Sequence, residues 1–167
     1  MSIEKIRTLT MNSHFFSLLL TGFLSGYNKP CEIKIVFMAL PILLHSDSRK
    51  KLLSANKNSR VETLFNKTEN LVNDNKVSGR VNLAGYYRRY EGLIPYTKKA
   101  IIILYSKNKI MFNKNNIHLI KSIKHTDFEG ALRDWIRASF YLGIILSKTN
   151  EDYLHYFLGV EKHEKLF

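Results

Sequence analysis

The chain has one cysteine, three prolines, one tryptophan and, between positions 76 and 124, a single acidic residue, Glu91. Each shortage excludes something. Cys31 has no partner for an internal disulfide, so the fold must rest on its core, and a reducing, cytoplasmic setting suits it. Long apolar runs are missing. Residues 15–24 (FFSLLLTGFL) and 35–44 (IVFMALPILL) each reach about half the roughly 20 residues a membrane-spanning helix needs, and Pro41 interrupts the second. No small-x-small cleavage site follows the first. Both are expected to be core helices, and no membrane partner is expected.

Motifs for chemistry are equally scarce. Gly22 and Gly26 stand alone, and no G-x-x-x-x-G-K follows a strand, so no ATP site is expected. No G-x-S-x-G places a nucleophile on a sharp turn. His14, His45, His118, His125, His155 and His163 include no pair at H-x-x-x-H spacing, and Cys31 has no thiol partner for a metal. The densest carboxylates are Asp127, Glu129 and Asp134, and a helix N-terminus accounts for the first two through its dipole. The expectation is a protein that is not an enzyme, with no catalytic residue, cofactor or metal.

What is present is apolar mass and positive charge. Of 167 residues, 45% are hydrophobic and 12% aromatic, enough for a sizeable core in one domain. The expected organisation is a loose N-terminus over 1–10, a helical layer over 11–94, a helix with a β-hairpin wing over 95–124, and C-terminal helices over 125–160. The formal charge is +12. Residues 76–124 supply most of it, with eleven lysines and arginines against Glu91. So local a block suits nucleic acid or an acidic protein surface, although a merely solvated lysine-rich face gives the same count.

Periodicity and punctuation predict the elements. Asn12 or Ser13 caps a helix over 13–25, with Gly26 as its stop. Residues 32–35 alternate like a strand and 36–44 read as a buried helix; periodicity leaves 31–40 open between the two, and helix is favoured, bent at Pro41. Helices follow over 48–55, 60–72 and 77–90, the last weakened by Gly79 and Gly85 and ended by Gly92 and Pro95. Pro95 then opens a helix over 95–106. Lys109–Phe112 and Ile117–Ile120 read as strands around Asn113–Asn116, and Thr126-Asp127-Phe128-Glu129 as the capping box of a helix over 127–148. Asn150 caps a final helix that stops near Gly159. The fold class expected is mainly α with a small β-hairpin, a winged-helix-like helical domain in which helix 95–106 would either face DNA or, being apolar on much of its surface, sit in the core with the basic side chains spread around the wing.

The candidate partner-binding or nucleic-acid-binding residues are of three kinds. Arg49 sits near a helix start, an unfavourable place for a cation unless a specific partner holds it. Arg80 lies on a glycine-containing segment open to close approach. Tyr86, Tyr87, Arg88, Arg89 and Tyr90 form an aromatic–basic cluster, which suits interface hot spots or base stacking but also an ordinary amphipathic helix. Lys98, Lys99, Lys107, Lys109 and Lys114 would extend this surface along the helix and wing.

Several short segments, in order, carry a resemblance. They are Leu40-Pro41-Ile42-Leu43-Leu44-His45 with Ser48-Arg49, then Gly79-Arg80, then Ile94-Pro95-Tyr96-Thr97-Lys98-Lys99-Ala100, then Leu142-Gly143 and Leu158-Gly159-Val160. Together they resemble the middle component of bacterial three-component ABC-ATPase (ABC-3C) anti-phage and anti-plasmid defence systems, the Lamassu-type systems among them. The resemblance implies a non-catalytic adaptor subunit. Its partners would be an SMC-like ABC ATPase that senses DNA and an effector of the nuclease kind, whose release it couples to sensing. The alternative is a stand-alone basic winged-helix DNA-binding protein of the transcription-regulator type.

Overall fold

A computed structural model describes residues 12–65, 69–70, 76–77, 83 and 85–158. Helix α1 (Ser13–Tyr27) buries Phe16, Leu19, Leu20, Phe23 and Leu24, and Asn12 caps it by accepting from His14 N–H at 2.8 Å. Gly26 does not stop the helix as expected. The chain runs past it to Asn28, whose φ of 53° makes the left-handed cap. Gly26 serves instead to let another helix approach. A Cβ there would overlap the Phe140 carbonyl, and a Cβ on Gly143 would overlap the Phe23 carbonyl. Helix α6 (Gly130–Ser147) therefore crosses α1 with the two backbones in contact.

Strand β1 (Cys31–Glu32) leads directly into helix α2 (Ile33–Leu43). Both tendencies in this stretch are thus realised, strand for two residues and helix thereafter. Residues Ile35 to Leu43 are all buried, as an all-apolar helix requires, and Pro41 lies inside it. Helices α3 (Ser46–Leu53) and α4 (Val61–Phe65) follow. Of the helix expected over 60–72 the described residues show Val61–Phe65, while Glu69–Asn70 forms strand β2, paired antiparallel with strand β3 (Lys76–Val77). The helix expected from Val77 starts only at Tyr86. Arg80 and Gly79 lie outside the described residues.

Helix α5 (Tyr86–Ser106) is one element where two were expected. Pro95 removes one ladder hydrogen bond but stands on the exposed face, beside exposed Glu91 and Gly92. Tyr86, Tyr90, Thr97, Ala100, Ile101 and Leu104 form one buried stripe across it. Continuous burial on one face outweighs the local helix-breaking signal on the other. Thr97 Oγ1 donates to Leu93 O at 2.9 Å within the same turn.

The hairpin follows as expected, with a tighter turn. Strands β4 (Ile110–Asn113) and β5 (Asn116–Leu119) pair antiparallel around Lys114-Asn115, with Lys114 at φ 52°. Strand β1 pairs with the other side of β5, giving the order β1-β5-β4 with β4 at an edge. The hairpin is tied to the core because Asn115 O accepts from Ile33 N–H, the first donor of α2, at 2.9 Å. The capping box expected at 126–129 is replaced by a 3-10 turn over His125–Asp127, where Lys124 N–H donates to Asp127 Oδ2 at 3.4 Å. Helix α6 then begins at Gly130. Helix α7 (Glu151–Leu158) is capped by Asn150, as expected. The protein is mainly helical with a small antiparallel sheet, and the winged-helix pattern fits it loosely.

Candidate interaction surface

The aromatic–basic cluster at the start of α5 divides. Residues i and i+4 share a helix face, and Tyr86 and Tyr90 turn inward together, stacked at 6.2 Å. Tyr86 Oη donates to Met38 O at 3.3 Å, and Arg89 Nε donates to Pro41 O at 3.1 Å. Both carbonyls belong to α2. Arg49, from α3, reaches the same region and donates from Nη1 to Leu43 O at 3.0 Å. Its guanidinium lies 3.7 Å above the Trp135 ring of α6, and that ring and Phe15 meet at near right angles, 5.3 Å apart. Two cations and a phenol thus serve carbonyls in the second half of α2, where the helix dipole is negative. Burial pushes the pKa values of Arg49 and Arg89 down and those of Tyr86 and Tyr90 up. Arg49 near the start of its own helix is explained by the end of another.

His45 precedes α3 and places Nδ1 3.0 Å from Ser48 Oγ. Cys31 is buried, and burial pushes its thiol well up, away from the reactive thiolate. Among the described residues no three His, Cys, Asp or Glu side chains stand close enough to hold a metal ion. A polar cleft of about 270 Å³ lies between the end of α1 and the hairpin, lined by Ser25, Asn28, Lys29, His118 and Ser122 among others. Its walls include Ser25 Oγ, which accepts from Ile123 N–H at 3.0 Å. Among the described residues no helix is long and apolar enough to cross a membrane.

The surface that faces outward begins with Tyr87 and Arg88. Tyr87 is 40% exposed and donates to Glu91 Oε1 at 2.7 Å. The larger surface lies at the other end of α5. Ile102 is 59% exposed and Tyr105 58%, one helical turn apart. Phe112 of β4, 42% exposed, places its ring 5.4 Å from Tyr105. Met111 and Ile120 are also exposed, on the outer face of the hairpin. Lys99, Lys107, Lys109 and Lys114 are exposed around them, and Lys98 is half-buried.

The lysines were legible as candidates; the apolar centre was not. Its signal was nevertheless present. Ile101-Ile102-Ile103-Leu104 has four apolar residues in a row, and a surface helix cannot turn all of them inward. Ile110-Met111-Phe112 likewise lacks the alternation of a half-buried strand.

The chain was compared with known proteins. No curated protein and no solved structure matches it. A family model described as the ABC-three component (ABC-3C) system Middle Component 3 matches residues 1–162. That match spans nearly the whole chain, which therefore belongs to the Middle Component 3 family of ABC-3C systems.

Proposed function

We propose that this protein is a non-catalytic, cytoplasmic adaptor of an ABC-3C defence system. It bridges an SMC-like ABC ATPase that senses phage or plasmid DNA and a nuclease-type effector, and it couples sensing to effector release, as in Lamassu-type systems. Membership of the middle-component family carries this proposal. The α5–hairpin surface supports it. A helix placed to read DNA would present polar and basic side chains to base edges, whereas α5 turns Ile102 and Tyr105 outward. An apolar centre with a charged rim is the anatomy of a protein interface. Tyr87, Arg88, Lys98, Lys99, Lys107, Lys109 and Lys114 remain the proposed contact residues, and Arg49, Tyr86, Arg89 and Tyr90 are proposed to support them from within.

The test is co-expression of the tagged chain with the other components encoded in its own system, followed by affinity and size-exclusion chromatography. Co-elution in fixed stoichiometry is expected. A chain that elutes alone removes the adaptor role. Steeply salt-dependent DNA binding by the isolated chain would instead make it a DNA-binding protein in its own right.

A further inference from the structure

Three exposed apolar side chains adjoin at the end of α5. Ile102 and Tyr105 stand one turn apart, so they are neighbours on one helix face, and each has more than half of its surface in solvent. Phe112 of β4 adds its ring beside that of Tyr105, with the two planes tilted by 50°. Side chains alone make this patch. The main chain next to it is occupied, since Ile110 is buried and Lys109 N–H donates to Leu104 O at 2.9 Å. Alternation along β4 puts Met111 on the opposite face from Phe112, so Met111 lies outside the patch.

Cations flank the patch along the chain. Lys99 lies one turn before Ile102, Lys107 and Lys109 follow Tyr105, and Lys114 follows Phe112, and all four are exposed. Among the described residues none of the four makes an ion pair. No acid occurs between Glu91 and Asp127 to offset them. The surface is therefore an apolar centre in an unbalanced positive field, and the sign of that field selects the occupant. A two-fold dimer through this patch would set the same lysines against each other. Nucleic acid is read chiefly by arginine, and no arginine occurs from 90 to 132. The tilted Tyr105 and Phe112 rings also offer no flat platform for successive bases. An acidic protein segment with an apolar anchor matches both the centre and its rim.

We propose that this patch docks a short acidic segment of a partner protein. The segment seats a large apolar side chain against Ile102, Tyr105 and Phe112, and its aspartates or glutamates lie towards Lys99, Lys107, Lys109 and Lys114. Burial of the anchor supplies affinity, and the flanking charges steer the segment in and reject basic surfaces. The proposal rests on the adaptor role, which requires partners, and names the chemistry of one of them.

The test uses the complex formed with the co-expressed components of its own system. Ile102→Glu and Ile102→Lys both remove the apolar contact, at an exposed helix position that either residue suits. The glutamate also repels an acidic segment, whereas the lysine attracts it. Partner affinity is expected to fall by about tenfold with the glutamate, and by clearly less with the lysine. Equal losses, or a larger loss with the lysine, overturn the acidic occupant. In the wild-type complex, hydroxyl-radical footprinting is expected to show Tyr105 and Phe112 less oxidised than in the free chain. Carbodiimide, which joins a lysine amine to a carboxylate in contact with it, is expected to link Lys107, Lys109 or Lys114 to an aspartate or glutamate of a partner. Both measurements stand even if a variant fails to fold. A complex in which the two rings stay as reactive as in the free chain overturns the docking proposal and leaves the adaptor role intact. Protection produced by DNA or RNA alone, or abolished by nuclease, overturns it in favour of nucleic acid. Protection that appears with dimers of the isolated chain overturns it in favour of a second copy. If no complex forms with the wild type, the adaptor role falls, and the docking proposal falls with it.

Discussion

The two ends of helix α5 carry the same kinds of residue and do opposite things. At its start, Tyr86, Arg89 and Tyr90 are drawn into the core and serve it. At its end, Tyr105 and the lysines around it stay outside, with Phe112 of the hairpin. The difference lies in the neighbour rather than the composition. The first end lies against α2, whose buried second half offers carbonyl oxygens that want donors. The second end lies beside strand β4 at the edge of the sheet, where Phe112 is exposed. Aromatic and basic residues in sequence therefore mark a demand for hydrogen bonds and stacking, and the demand can come from inside the fold.

Truncation is the sharpest way to break this comparison. Tyr90→Ala removes a fully buried ring and is expected to cost about 3–5 kcal/mol of folding stability. Tyr105→Ala, on the exposed end, is expected to change stability by no more than about 0.5 kcal/mol. Urea unfolding of the two variants under one set of conditions measures both. Equal losses would mean that the ends do not differ in role.

The arginines give a smaller version of the same contrast. Arg89→Met keeps much of the apolar stem and leaves Pro41 O without its donor. The expected cost is about 1–3 kcal/mol, typical of a buried polar group left unpaired. Arg88→Met, one residue earlier and exposed, is expected to leave the unfolding midpoint unchanged. If Arg88→Met destabilised as much as Arg89→Met, the division of the cluster into inner and outer residues would be wrong.

How far this division is legible in the sequence follows from what each signal depends on. The Asn12 and Asn150 caps, the apolar stripe of α1 and the turn-rich hairpin are local, and each is found where its local chemistry puts it. The readings of Gly26 and Pro95 as helix ends failed for a shared reason. Glycine lowers helix propensity, but Gly26 faces the backbone of α6, and that close approach is a property of two helices. Proline breaks a ladder, but Pro95 sits on the wet face of a helix whose other face is buried on both sides of it, at Tyr86 and Tyr90 and from Thr97 to Leu104. The site was half legible for the same cause. Charge can be counted along a chain, whereas the fate of Tyr86 or Arg49 depends on carbonyls supplied by α2.

The opposite edge of the sheet provides a third comparison, with a smaller effect. Strand β1 carries Glu32, which shares a hydrogen bond with Glu151 of α7, and Lys34 lies 3.9 Å from the same carboxylate. That hydrogen bond, helped by partial burial, raises the pKa of Glu32 from 4.5 to about 7. The folded state therefore holds the proton more tightly than the unfolded chain does. The stabilisation is fully present below about pH 4.5 and is lost as the pH rises through 7. Glu32→Gln is expected to flatten this slope, so the difference in unfolding midpoint between pH 5 and pH 8 should shrink relative to wild type. Glu32 is exposed, and solvent keeps the effect small. An unchanged slope would mean that the two carboxyls do not share a proton.

The smallest expected effect on folding is the one that best isolates the outer end of α5. Lys107, Lys109 and Lys114 are exposed and lie on or beside tight turns, so reversing all three to glutamate is expected to change stability by no more than about 0.5 kcal/mol. Binding should respond differently. Raising the salt concentration screens exposed charges over roughly 8–10 Å, so an acidic partner should be held less firmly in high salt by the wild type. In the triple variant the attraction becomes repulsion, and the salt dependence should change sign. A partner retained equally by both proteins at low salt would show that the lysines do not select it. Loss of partner at low salt, with partial recovery at high salt and an unchanged unfolding curve, would assign these charges to recognition, because no folding defect produces that combination.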